Sequence, residues 1–108
     1  MNVNLGGING TVIGACGATS TPVLTFSAVG GIAGQAKIKL RRTVGTSMYY
    51  KIDGYLSSHP SAIAVALQAE TSMTTDVDFA VTVPYAVVVV SVRNNVGSNI
   101  YQIDYMVY

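Results

Sequence analysis

The stretch AKIKLRR, residues 36–42, carries Lys37, Lys39, Arg41 and Arg42, four of the six cationic residues in the chain. Its reading decides the fold. As a strand it sends Ile38 and Leu40 to one face and Lys37, Lys39 and Arg41 to the other, because successive side chains of an extended backbone alternate. Periodicity alone then accounts for the charges, and the same period-two alternation runs outward in both directions. Strands are predicted at 2–5, 8–14, 21–28, 35–43, 48–56, 62–69, 76–83, 85–93 and 100–108, separated by Gly-, Ser-, Asn- and Pro-bearing turns. Eight or nine short strands without crossover helices point to an all-β fold, an antiparallel β-sandwich of jelly-roll-like form, in one domain over residues 1–108.

Residues 61–70, SAIAVALQAE, are the one place where a helix competes, since Ser61 can cap and alanine favours helix. Strict alternation of Ile63, Val65 and Leu67 with Ala62, Ala64 and Ala66 favours strand. A hairpin through TVGT, residues 43–46, is expected to set 36–42 beside MYYKIDGYL, residues 48–56, with Tyr50, Ile52 and Leu56 inward. Tyr49, Lys51, Asp53 and Tyr55 then lie outward. This puts Lys37, Lys39, Arg41, Tyr49, Lys51 and Tyr55 on one candidate interaction face. Interleaved cations and tyrosines suit phosphates and stacked bases. A net charge of only +1 and Asp53 within the patch argue against nucleic acid and for a solvated or subunit-contacting face.

Composition supports contact over chemistry. Half the residues are apolar and 10% are charged, well under the quarter or so usual for soluble domains, so neighbours are expected to cover part of the exterior. The strand ending IYQIDYMVY, residues 100–108, with one charge, reads as an open edge needing a cover. FAVTVPYAVVVVSV, residues 79–92, is too short for a membrane helix and is interrupted by Thr82 and Pro84, and its four consecutive valines suit a strand buried on both faces or one sandwiched between its own sheet and a neighbouring subunit.

No catalytic constellation emerges. His59, the one histidine, sits in SSHPS without an orienting carboxylate, and Cys16 lies among small residues with no activating base. Cys16 has no partner for an internal disulfide, and the IGAC at 13–16 lacks the basic start and apolar core of a lipoprotein signal. LGGING (5–10) and VGGIAG (29–34) read as two glycine turns leading into strands rather than a duplicated hairpin, and GGINGTVIGACG (6–17) is no phosphate loop, because no helix follows its glycines. Asp76 and Asp78 read as solvent-face residues, and Asn94, Asn95 and Gly97 as a hairpin turn. No cofactor or metal is expected, and the reading is of a non-enzymatic protein.

The chain as a whole, short, without a disulfide and rich in Gly, Ser, Thr, Asn and Val strands, resembles the small all-β accessory proteins of tailed-phage virions. These are the decoration or cement proteins of capsids and the sandwich modules of tails. The resemblance implies a structural role in a virion through homo-oligomeric contacts or contacts with a coat or tail protein. A carbohydrate- or receptor-binding sandwich module is the alternative, in which exposed tyrosines would form a platform for a glycan.

Overall fold

The computed structural model describes residues 2–4, 9–27, 35–82 and 85–107. Nine strands run through them: β1 (Asn2–Asn4), β2 (Asn9–Ala15), β3 (Thr21–Ser27), β4 (Gln35–Val44), β5 (Ser47–Tyr55), β6 (Val65–Met73), β7 (Val77–Thr82), β8 (Val87–Val96) and β9 (Ile100–Val107). No helix occurs among the described residues. One sheet has the order β1-β3-β8-β5-β6 and the other β2-β9-β4-β7. All pairings are antiparallel except the short parallel contact of β1 with β3.

From β2 onward every connection switches sheets, apart from β5 to β6, which are neighbours in one sheet. That alternation of two four-stranded layers is jelly-roll topology, with β1 added at the β3 edge. Alternation along the strands builds the core between the layers. β5 buries Met48, Tyr50 and Ile52, β8 buries Val88, Val90 and Val92, β4 buries Ile38 and Leu40, and β9 buries Tyr101, Ile103 and Tyr105. Each fully buried aliphatic side chain contributes about 1.5–3 kcal/mol, so these few inward rows carry most of the cohesion.

Several expectations are corrected. The turn at 43–46 does not make a hairpin: β4 lies in the four-stranded sheet between β9 and β7, and β5 lies in the other between β8 and β6. Gly45, with φ +105°, turns the chain from one layer to the other, a conformation that side chains disfavour. Leu56 does not join the core and is 72% exposed. The segment at 61–70 is strand, but β6 starts at Val65 and continues through 71–73, leaving Ile63 in the β5–β6 loop at 87% exposure. β9 is no open edge, because β2 and β4 flank it. Asn94 and Asn95 belong to β8 rather than to a turn, and Asp76 precedes β7. Within the chain β8 buries one face and leaves Val87 and Val89 half-buried on the other, so of the two readings of the four valines burial on both faces by this chain alone is not found. The glycines of residues 5–8 and 28–34 lie outside the described residues.

Candidate interaction faces

The two outer faces of the sandwich divide the predicted site. Lys37, Lys39 and Arg41 project from β4 on the outside of the four-stranded sheet, and Tyr49, Lys51 and Tyr55 from β5 on the outside of the other. Packed sheets stand about 10 Å apart, so the two triplets face opposite directions and do not form one patch. The misplacement has a single cause: periodicity assigns a residue to a face of its own strand, and which sheet the strand joins depends on the turn.

On the four-stranded sheet the cations meet carboxylates. Register places Thr11, Asp104, Lys39 and Asp78 in one row across β2, β9, β4 and β7. Asp104 Oδ1 accepts from Thr11 Oγ1 at 2.8 Å and from Gln102 Nε2 at 3.1 Å, and Arg41 Nη2 stands 3.8 Å from Oδ2. The Gln102 and Thr11 hydrogen bonds, helped by Arg41 and Lys39, hold the Asp104 carboxyl below its usual pKa. Three cations and two carboxylates share this face, which is striped rather than basic. Phosphate-tracking grooves are built from unopposed charge, so the face lacks their character.

On the five-stranded sheet Tyr49 is already occupied. The guanidinium carbon of Arg93 sits 4.0 Å from the centroid of the Tyr49 ring, a cation–π stack. The same guanidinium donates to Glu70 Oε1 from Nε at 3.0 Å and from Nη2 at 2.7 Å, which lowers the Glu70 pKa and raises that of Arg93. Lys51 Nζ lies 3.6 Å from Asp53 Oδ2. Tyr50, Tyr101 and Tyr105 are buried, and Tyr105 meets Phe26 edge-on at 6.1 Å. Tyr85 packs its ring over Gly54, at a spot where a Cβ would come within 2.7 Å of it. Sugar platforms need open, coplanar rings, and Tyr49 is covered by its own neighbour.

Two glycines of β2 have the same use. Gly10 and Gly14 pair in register with Tyr105 and Tyr101 of β9, and an added Cβ at either would lie 2.5 Å from the tyrosine oxygen. The strand gives up side chains so that two rings can lie across it. Spacing of four along β2 and β9 carries this signal in the sequence, though only the register reveals it.

The polar groups that matter most to the architecture were not singled out by sequence reasoning. At the end formed by residues 16–20, 45–46, 74–76 and 97–99, the Asn99 side chain is buried, 1% exposed. Its Oδ1 accepts from the Ser47 backbone N–H at 3.1 Å, and its Nδ2 donates to the Val96 carbonyl and to Asn94 Oδ1, both at 3.1 Å. Asn94 Oδ1 also accepts from the Asn99 N–H at 3.2 Å, and Asn94 Nδ2 donates to the Cys16 carbonyl at 3.0 Å. Arg42, the fourth cation of 36–42, donates to the carbonyls of Gly45 at 3.1 Å and Met73 at 3.0 Å. These bonds tie the two sheets together where their turns meet.

The two residues weighed for catalysis are placed apart. His59 Nδ1 accepts from the Ser61 N–H at 3.0 Å, and the His59 N–H donates to Ser57 Oγ at 3.0 Å, which shapes the β5–β6 loop. Cys16 is half-buried with its Sγ 3.5 Å from Met48 Sδ, and burial raises its thiol pKa. No group of three metal-ligating side chains and no helix long and apolar enough to span a membrane occurs among the described residues.

No protein-family model and no curated protein matches this chain. Among solved structures it is similar to the pre-peptidase C-terminal domain of a Bacillus anthracis collagenase, with a TM-score of 0.58, 16% identity, and coverage of 96% of this chain and 91% of that one. It is also similar to a subunit of Bacillus endospore appendages described as disulfide-linked pili, with a TM-score of 0.54, 16% identity, and coverage of 97% and 90%. A chain of infectious bursal disease virus, Gx strain, aligns with a TM-score of 0.46 at 10% identity over 95% of this chain and 32% of that one. At these identities the first two likenesses establish an all-β sandwich, and the fold alone.

Proposed function

We propose that this protein is a non-enzymatic structural subunit that works by burying its sheet surfaces against other subunits of an extracellular or virion assembly. In the virion version it is a capsid decoration protein or a tail component. The observation that carries the reading is that several polar side chains suited to a ligand are engaged within the chain: Asp104 by Thr11 and Gln102, Glu70 and Tyr49 by Arg93. What is left facing outward includes Ile13, Val44, Leu56, Ile63, Val96 and Met106, apolar groups that gain by being covered. That a pilus subunit shares the fold supports the idea that such a sandwich can serve as a building block.

The competing reading, a carbohydrate- or receptor-binding module, needs Tyr49 or Tyr55 to present an open ring, and the Arg93 stack on Tyr49 weighs against it. Sedimentation analysis across a concentration series, with a glycan array alongside, tests the choice. Concentration-dependent assembly without glycan binding is expected. A monomer that persists at high concentration and binds sugar overturns the proposal.

A further inference from the structure

We infer that the outer edge of β2 pairs with the same edge of a second copy, antiparallel and centred on Val12, joining two four-stranded sheets into one of eight strands. The inference rests on the proposed assembly role and names its contact.

An edge strand presents unpaired backbone N–H and C=O groups, whose natural complement is another strand. Among the described residues β2 has β9 on one side and no strand on the other. The remaining edges carry features that discourage pairing. β6 has two register irregularities against β5, β7 presents the Asp78 carboxylate, and β1 is three residues long. β2 has none of these. Its seven residues, NGTVIGA, contain no charge and no proline, and its register with β9 is unbroken from Asn9 to Ala15.

The strand is also complementary to itself. About Val12, Asn9 lies opposite Ala15, Gly10 opposite Gly14, and Thr11 opposite Ile13 of the second copy, so no like charges meet. Opposed glycines are the useful part. Each is backed by a tyrosine ring of its own β9, so the inner face of the joint would be filled by Tyr101 and Tyr105 without a clash of side chains from β2. On the outer face Ile13, 64% exposed and without a neighbour of its size in the row Gln102 and Arg41, gains cover from Thr11 and Ile13 of the other copy.

Two cysteine variants in a Cys16→Ser background test the register. In an antiparallel pair centred on Val12, Thr11→Cys and Ile13→Cys chains face each other, whereas identical chains place their thiols on the diagonal, about 7–8 Å apart at the Cα atoms. Oxidation of the mixture is expected to give mainly the mixed disulfide dimer, at least about fivefold over either chain alone, where a register-blind contact gives no preference. Separately, Ile13→Lys brings two ammonium groups to that diagonal and is expected to weaken self-association by about tenfold or more, with an unchanged circular-dichroism spectrum. Wild-type assembly with no mixed crosslink and with Ile13→Lys assembling normally overturns the β2 contact while sparing the assembly role. A wild type that stays monomeric overturns both.

Discussion

Replacement of Asn99 probes the bond network that holds the two sheets together at one end. Its amide orientation is fixed by partners of fixed polarity, since Ser47 N–H can only donate and the Val96 carbonyl can only accept. In Asn99→Ala the Val96 carbonyl keeps the Thr46 hydroxyl at 3.2 Å, and Asn94 Oδ1 keeps the residue 99 N–H. Ser47 N–H alone loses its partner. An orphaned buried donor costs about 1–3 kcal/mol, and the vacated volume adds to it, so a loss of about 2–4 kcal/mol is expected. That is a large share of the roughly 5–15 kcal/mol typical of a domain and lowers Tm by about 10–20 °C.

Asn99→Asp sharpens the test. It retains an acceptor for Ser47 but aims a second oxygen at two acceptors, so its carboxyl is driven above the ordinary pKa in the folded state. A raised folded pKa means stability present below the unfolded value of about 3.9 and lost as pH rises through the folded one. The deficit of Asn99→Asp relative to wild type should therefore grow from pH 4 to pH 7. Urea unfolding followed by tyrosine fluorescence suits a chain with seven tyrosines and no tryptophan. A deficit independent of pH, or an alanine variant within about 0.5 kcal/mol of wild type, the range of ordinary surface changes, would refute the account.

Other outcomes follow from crowding and burial. Gly10→Ala and Gly14→Ala should each cost about 1–3 kcal/mol in the same urea assay, because the added carbon meets a tyrosine ring. Gly45→Ala should cost more than Gly97→Ala: both residues have positive φ, but the first would press a Cβ on the Asn99 amide and the Ser98 carbonyl, while the second has its nearest neighbour, Thr46 Oγ1, at 4.0 Å. The Cys16 thiol and the Tyr101 hydroxyl both have pKa values raised by burial, with Cys16 adding to the Tyr101 shift. Their contribution to stability is present at neutral pH and is lost above about pH 9, as the unfolded groups ionise. Alkylation of Cys16 in the folded protein should stay slower than that of a small thiol at pH 8, as mass spectrometry can follow.

Period-two alternation made the strands legible because it reflects a local property, the opposite pointing of neighbouring side chains. It placed Ile38 and Leu40 inward, Lys37 and Lys39 outward, and separated Tyr50 from Tyr49. It could not say that β4 and β5 join different sheets, since Gly45 permits a crossing as readily as a hairpin. The candidate face therefore divided into two. For the same reason the carboxylate set against residues 36–42 was the wrong one: Asp53 lies on the other sheet, whereas Asp78 and Asp104 are distant in sequence and arrive only through pairing. Asn94 looked like a turn residue because Asn favours turns, whereas its amide bridges the backbone groups of Cys16 and Asn99, far apart in sequence. Leu56 and Ile63 fit an inward pattern that ends where the strands end.

The positions of β8 and β9 bear on how the protein is made. These are the last two of the described strands, and each occupies the middle of a sheet, β8 between β3 and β5 and β9 between β2 and β4. A nascent chain extended only through β7 on the ribosome would therefore hold two half-layers with a gap in each. Neither layer can close until the final segments emerge, so acquisition of structure is a late event that draws on contacts spanning most of the chain, the regime of millisecond-to-second folding. Until then the waiting strands offer bare flanks to other nascent chains, and insertion of β8 and β9 closes them.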